Sequence, residues 1–202
     1  MSPAGRPGPA VLVDYDPHWP VRAGRLLVEV RAALAGLDPD GVLVAEHIGS
    51  TAVPDLVAKP IVDLQVQLPV LAPLTVLSEV LAPTGFVSAF GARPDSPGVH
   101  HDIPRPGMPA EPSLYDKRLF HSPSEAAILH IRRLDSPFAE WVLLLRDWLC
   151  AHPAEAARYG AHKRILAERF GGDVDYDDYT RAKTLFFDEI EPDVRRWSRG
   201  LA

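Results

Sequence analysis

The chain has a single cysteine, Cys150, among 202 residues. That excludes an internal disulfide framework and a cysteine-rich zinc site. Cys150 closes the apolar run 141–150 and reads as a buried small hydrophobe rather than a nucleophile. Long apolar stretches are missing as well. The longest is too short and too charged to span a bilayer, and residues 1–9 are Gly/Pro-rich without the apolar centre of a secretory signal. The expectation is a cytoplasmic protein with no membrane partner. Positive charge is not in excess: 21 Lys and Arg stand against 27 Asp and Glu, a formal net charge of -6. No global field therefore favours extended nucleic acid, although a local basic pocket can still hold phosphate. Three signatures are absent: the G-x-x-x-x-G-K-[ST] phosphate loop, the G-x-G-x-x-G dinucleotide turn and a G-x-S-x-G elbow around Ser50. Their absence argues against the corresponding folds and against an acyl-transfer serine.

What is present suffices for one domain of ordinary size, with 47% hydrophobic residues for the core. Residues 1–10 read as a disordered leader and 11–199 as a single domain, its sheet over about 40–135 and a helical part over about 136–199. Leu26, Leu27, Val30, Leu34 and Leu37 lie at helical spacing within 21–37. Residues 42–48 and 61–68 read as strands. The second alternates cleanly, with Ile61, Asp63, Gln65 and Gln67 on one face and Val62, Leu64, Val66 and Leu68 on the other. A short helix over 71–81 and a strand near 86–90 follow.

Residues 91–113 contain six prolines and three glycines, so no regular element runs through them. The segment is either a long loop that covers a cleft or, in its first half, a disordered insertion. Strands are expected over 114–121 and 126–132. A helix then starts at the N-cap Ser136 with Pro137 in its first position; a second covers 154–170 and a last one 176–197. The fold class is α/β (α+β): a mixed, mainly antiparallel sheet flanked by helices, with a C-terminal helical region closing one side.

The stretch with chemical content is His47-Ile48-Gly49-Ser50-Thr51, continuing to Lys59-Pro60-Ile61-Val62-Asp63-Leu64-Gln65. It places a Gly-Ser turn after one strand and an acid on the next. Gly49 lets backbone N–H groups approach a polyphosphate, and Ser50 adds a hydroxyl donor. An acid on the neighbouring strand can hold Mg²⁺ against those phosphates, since that ion takes carboxylate oxygens and shares its shell with substrate phosphate.

This arrangement resembles the DNA polymerase beta-like nucleotidyltransferase superfamily, in which a Gly-Ser turn precedes an acid-x-acid pair on a strand. From Tyr15 to Glu189 the chain looks like the GrpB family. The matches are Tyr15-Asp16-Pro17-His18-Trp19, the block from His47 to Pro60, Ile128-Leu129-His130-Ile131, Arg146-Asp147-Trp148-Leu149, Ala151-His152-Pro153, Tyr159 with Lys163, and Tyr179-Thr180-Arg181-Ala182-Lys183. The resemblance implies a nucleotidyltransferase fold, with a Mg²⁺-nucleotide at Gly49, Ser50, Thr51 and Asp63 and with Gln65 at the second metal position. Gln65 departs from the active pattern, because an amide is a poor Mg²⁺ ligand. The third acid is also missing, and His130 stands on the strand where it is expected. Two-metal transfer wants two or three carboxylates.

Three functions follow from this reading. The first is transfer of a nucleotidyl or related phosphoryl group from a Mg²⁺-nucleotide to a small acceptor. The second is a non-catalytic module for a nucleotide or small phosphorylated metabolite, of the kind that also occurs fused to dephospho-CoA kinase. The third is a divergent enzyme that uses His130, or the loop histidines His100 and His101, as acid or base.

The remaining candidates have two readings each. Lys59 either reaches a phosphate or is an exposed loop lysine. Lys117 and Arg118 either close on a phosphate from the far wall or form a solvated strand face. Tyr159 and Lys163, like Tyr179 and Lys183, share a helix face at a spacing of four. Their lysines either line the cleft or lay their stems over the rings. Arg146 and Asp147 read as an ion-paired contact to the sheet, and His47 as a residue that orients the turn. His47, His100, His101 and His130 would make a transition-metal site only if they met in space.

Overall fold

The computed structural model describes residues 9–91, 95–96, 98–175 and 177–200. Most of the expected leader, 1–8, and the expected start of the last helix at 176 lie outside them. Five strands form one sheet: β1 (Val44–Ile48), β2 (Val62–Leu68), β3 (Val87–Ser88), β4 (Arg118–Ser122) and β5 (Ala127–Arg133), in the order β1-β2-β5-β4-β3. Only the β2–β5 pairing is parallel. The sheet is mixed and mainly antiparallel, as its sequence pattern implies.

The two faces of this sheet differ in chemistry. On one, Val62, Leu64, Val66 and Leu68 of β2 join Leu129 and Ile131 of β5 and Phe120 of β4 in the larger hydrophobic core. Helices α1 (His18–Leu34) and α2 (Leu74–Leu81) cover that face. Trp19, Ala23, Leu26, Val30 and Leu34 recur every three or four residues along α1, which puts one apolar stripe on the sheet. The other face carries Asp63, Gln65 and Gln67 of β2 and, in register with the last two, His130 and Arg132 of β5.

Helix α3 (Pro137–Ala151) covers this polar face. Its start is dictated locally: Ser136 Oγ accepts from Ala139 N at 3.3 Å and Pro137 occupies the first turn, where no N–H is needed. Helices α4 (Pro153–Arg169), α5 (Asp177–Ala182) and α6 (Thr184–Arg199) pack behind it. Val53, Leu56, Trp141, Trp148, Tyr159, Phe186 and Ile190 fill a second core between them. Among the described residues, no helix is long and apolar enough to cross a membrane.

Two expected elements are corrected. The strand over 114–121 is a 3₁₀ turn at Pro112–Tyr115 followed by β4 from Arg118, because Leu114 N and Asp116 N are bonded back within the turn, to Glu111 O and Ser113 O, and not across a ladder. The last helix is two, α5 and α6, separated at Lys183. The described part of the proline-rich loop is ordered by contacts. Asp102 N donates to Tyr115 O at 2.9 Å and Lys117 N to His100 O at 3.1 Å. Farther along, the buried Arg105 pairs with Glu191 of α6 at 2.8 Å. The loop is a strap from the sheet edge to the C-terminal helices.

Candidate functional site

The turn after β1 and the acid of β2 meet at one end of the polar face. Ile48 pairs directly with Asp63 across the two strands. Gly49 has φ 72° and ψ −166°, a backbone region essentially confined to glycine. A Cβ there would stand 2.7 Å from Asp63 Oδ2. Glycine is therefore required twice, for the backbone conformation and for the close approach of the acid. Ser50 follows and interacts with the Tyr159 phenol, whose ionisation burial drives upward. Thr51 is buried, with Oγ1 2.9 Å from His47 Nε2. His47 thus holds the turn through Thr51.

Behind Asp63 lies a chain of charged groups. His130 Nε2 stands 3.7 Å from Asp63 Oδ1, an electrostatic contact too long for a hydrogen bond. On the other side of the ring, Lys117 Nζ is 3.2 Å from His130 Nδ1. An ammonium group only donates, so Nδ1 accepts and the imidazole proton sits on Nε2, towards Asp63. Burial pushes His130 down to about 4, with Lys117 adding repulsion, and the ring is neutral at pH 7. Lys117 Nζ also contacts Asp102 Oδ1 at 3.0 Å, and Asp102 takes two further bonds, of 2.6 and 2.8 Å, from Arg132. Burial works to raise Asp102, but Arg132 and Lys117 overcome it and hold the carboxyl at about 2.

Three lysines also act on Asp63 electrostatically. Burial presses Lys59 down to about 8, Lys183 adds repulsion, and Asp63 and Asp177 oppose both. Lys183 is likewise lowered by burial against the attraction of Asp63, with Nζ 5.1 Å from the centre of the Tyr179 ring. Lys163 is held at about 6 by burial and by Lys183. Its Nζ donates to Val57 O and lies 4.7 Å from the centre of the Tyr159 ring. Asp63 would be raised by burial alone; His130, Lys59 and Lys183 together keep its carboxyl below the usual range.

A small cavity of about 140 Å³ opens beside Asp63 and Lys183. Gly49, Ser50, Asp63 and Lys183 line one side and Val142, Leu145 and Leu149 of α3 the other. A wider depression of about 600 Å³ over Leu12, Val57, Arg164 and Ala167 is flat and touches neither Gly49 nor Asp63.

Several expected site residues take other places. Arg118 pairs with Ile131, a residue of the larger core, so it sits on the sheet face opposite Asp63 and cannot close on the cleft. Lys117 precedes β4, only 2% exposed, and is no solvated strand residue. Gln65 is equally buried: its Oε1 accepts from Arg132 at 2.8 Å and its amide donates to Ala139 O at 3.3 Å. With that oxygen committed, Gln65 is not available as a metal ligand. Arg146 bonds Glu46 Oε2 and His47 O, both at 2.9 Å, and Asp147 at 2.7 Å, the contact to the sheet that its position implies. His101 pairs with Asp116 at 2.8 Å and His47 lies on the face of Leu64, so the histidines do not converge. No group of three or more His, Cys, Asp or Glu among the described residues is arranged to hold a metal ion. Two-metal transfer needs several carboxylates at one point, and the residues present do not fit it.

Asp102 and Arg132 are functional neighbours the sequence reading missed. The phase of β5 offered a signal for Arg132, two residues after His130 on the same face. Nothing offered one for Asp102, which a proline-rich loop delivers from far along the chain.

Comparison with known proteins identifies the family and the fold. The family model described as GrpB protein matches residues 9–193. A dephospho-CoA kinase of Mycolicibacterium paratuberculosis is 33% identical over 189 residues, which cover 89% of this chain and 44% of that protein. The chain thus spans less than half of that relative. A UPF0157 protein of Halalkalibacterium halodurans is 30% identical over 179 residues, 89% of this chain and 79% of that one. The crystal structure of the conserved protein GrpB from Enterococcus faecalis superposes with a TM-score of 0.65 at 22% identity, covering 93% of this chain and 99% of that one, and supports the fold. By sequence, then, the chain belongs to the GrpB family of the nucleotidyltransferase-like superfamily.

Proposed function

We propose that the cleft binds the phosphate end of a small phosphorylated molecule, either a nucleotide or another metabolite. One observation carries the reading: Lys183 lines a small cavity together with Asp63 and the Gly49–Ser50 turn, and Lys59 and Lys163 both feel its charge. Lysines crowded in this way depress each other's ionisation, and a multivalent anion relieves that repulsion. A turn that brings backbone N–H groups and a hydroxyl to the same point supplies direction as well as charge. The cavity of about 140 Å³ suits the anionic end of a ligand rather than a whole nucleotide, since pockets that enclose drug-sized molecules run to roughly 300–1,000 Å³.

A thermal-shift panel of nucleotides, inorganic pyrophosphate and coenzyme A precursors tests this; the last are included because relatives carry the name dephospho-CoA kinase. A ligand that binds only the folded chain stabilises it by RT ln(1 + [L]/Kd), so Tm rises with ligand concentration. At least one phosphorylated compound should raise Tm, and Gly49→Val should abolish the rise. A panel with no shift at millimolar ligand rejects the proposal.

A second reading is transfer of a nucleotidyl or related phosphoryl group, favoured by the proximity of Asp63 to Gly49. In that case incubation with a nucleoside triphosphate and Mg²⁺ releases pyrophosphate or phosphate, and Asp63→Asn stops the release.

A further inference from the structure

We infer that the anion enters this cleft without a divalent metal ion, and that lysine ammonium groups provide the opposing charge. The inference rests on the phosphate-binding reading above and says which chemistry serves it. Three observations on the polar face support it. Gln65 is turned away from the cavity: it is 1% exposed, with its oxygen bonded by Arg132 Nη1 at 2.8 Å and its amide bonded to Ala139 O at 3.3 Å. His130 presents its N–H, not a lone pair, towards Asp63, since Lys117 takes the other ring nitrogen at 3.2 Å. Asp63 itself already faces the N–H of the neutral His130 ring and the charges of Lys59 and Lys183. A dication approaching Asp63 would meet one carboxylate with ammonium groups in front and Lys117 and Arg132 behind. Mg²⁺ needs near-octahedral oxygen coordination and gives up water reluctantly, so such a site binds it poorly. A phosphate meets the reverse arrangement, with lysines to bond and a single carboxylate that repels it.

This reverses the sign expected at Asp63. As a metal ligand, Asp63 is required for binding. In a lysine-held site it sets a ceiling on affinity, and removing its charge lets the anion bind more tightly.

The test is calorimetric titration of the intact chain with inorganic pyrophosphate at pH 6.5, in EDTA and separately in Mg²⁺, for wild type, Asp63→Asn and Lys183→Met. We expect wild type to bind in EDTA, and Mg²⁺ to weaken the apparent Kd rather than strengthen it, because the metal complexes free pyrophosphate and competes with the lysines for it. Asp63→Asn should bind several-fold tighter and Lys183→Met about tenfold weaker. A Kd that appears only with Mg²⁺, or is lost in Asp63→Asn, overturns the inference but leaves phosphate binding in place. Absence of binding in both conditions overturns the two together. Thermal unfolding of each variant separates these outcomes from failure to fold: a variant with a wild-type transition and altered Kd reports on the site. Should Asp63→Asn unfold, the EDTA and Mg²⁺ arms on wild type still decide.

Discussion

Two groups of charged side chains share the polar face of the sheet, joined by His130, and they differ in closure. In the first, Asp102 receives two bonds from Arg132 and one from Lys117, and its side chain is 2% exposed. In the second, Asp63 is 32% exposed at the cavity and has lysines around it with no comparable short bonds to its oxygens among the described contacts. A closed group of buried charges spends its electrostatics on the fold. An open one keeps them for a ligand, at some expense in stability. The same lysine–carboxylate chemistry therefore serves structure on one side of His130 and binding on the other, and burial decides which.

The largest effect that would break this contrast lies in the closed group. Asp102→Ala leaves Arg132 and Lys117 buried without their counter-charge, and breaking a buried pair in this way costs about 3–5 kcal/mol. At about 2–4 °C per kcal/mol for a chain of this length, Tm should fall by on the order of 10 °C. A drop no larger than that of Asp63→Asn, measured by thermal or urea unfolding, would remove the distinction. Next in size is Gly49→Ala, where strain of about 1–3 kcal/mol at a glycine-only backbone region adds to the clash with Asp63. It should lower stability less than Asp102→Ala yet eliminate anion binding, since it moves the turn and the acid together.

Acid should expose a related difference. Asp102 is held at about 2 in the fold, below the unfolded carboxylate near 3.9, so its contribution is present above pH 4 and lost as pH falls through 2. His47 and His130 are both depressed to about 4, against about 6.5 when unfolded. Between those values the unfolded chain binds more protons, so stability declines as pH drops from 6.5 to 4. Urea midpoints across that range should fall in wild type and fall less in His130→Gln. Equal slopes would mean that His130 is not kept neutral by its neighbours.

The open group was far more legible in the sequence than the closed one, and the reason is locality. Gly49, Ser50 and Asp63 lie within one strand–turn–strand unit, where alternation fixes which side chains share a face. The cap at Ser136 and the break before Pro153 are equally local. Asp102 reaches Arg132 only through the strap, and no pattern of period 2 or 3.6 reports such a contact. Lys117 and Arg118 illustrate the limit from the other side. Neighbours on an extended segment point to opposite faces, so they could not both close on one cleft. The turn at Pro112–Tyr115 determines which of them turns inward. The division of the last helix at Lys183 was hidden too, because the residues around it carry ordinary helix propensity and the break follows from how α5 and α6 pack.

The smallest effect is also the sharpest discriminator, because it compares two lysines with the same depressed ionisation. Burial brings both Lys59 and Lys117 to about 8. Lys117 is locked to Asp102 behind His130, whereas Lys59 interacts with Lys183 and Asp63 at the cleft. At pH 8 each is about half protonated in the free protein. An anion bound beside Lys59 favours its charged form, so binding should draw up to about half a proton from solution at that residue, and almost none at pH 6.5, where it is already charged. Calorimetry in buffers of different ionisation enthalpy measures this uptake directly. Lys59→Met should reduce it, and Lys117→Met should leave it nearly intact if the variant folds. Uptake that instead follows Lys117 would place the anion behind His130, in the group described here as closed, and the two regions would exchange roles.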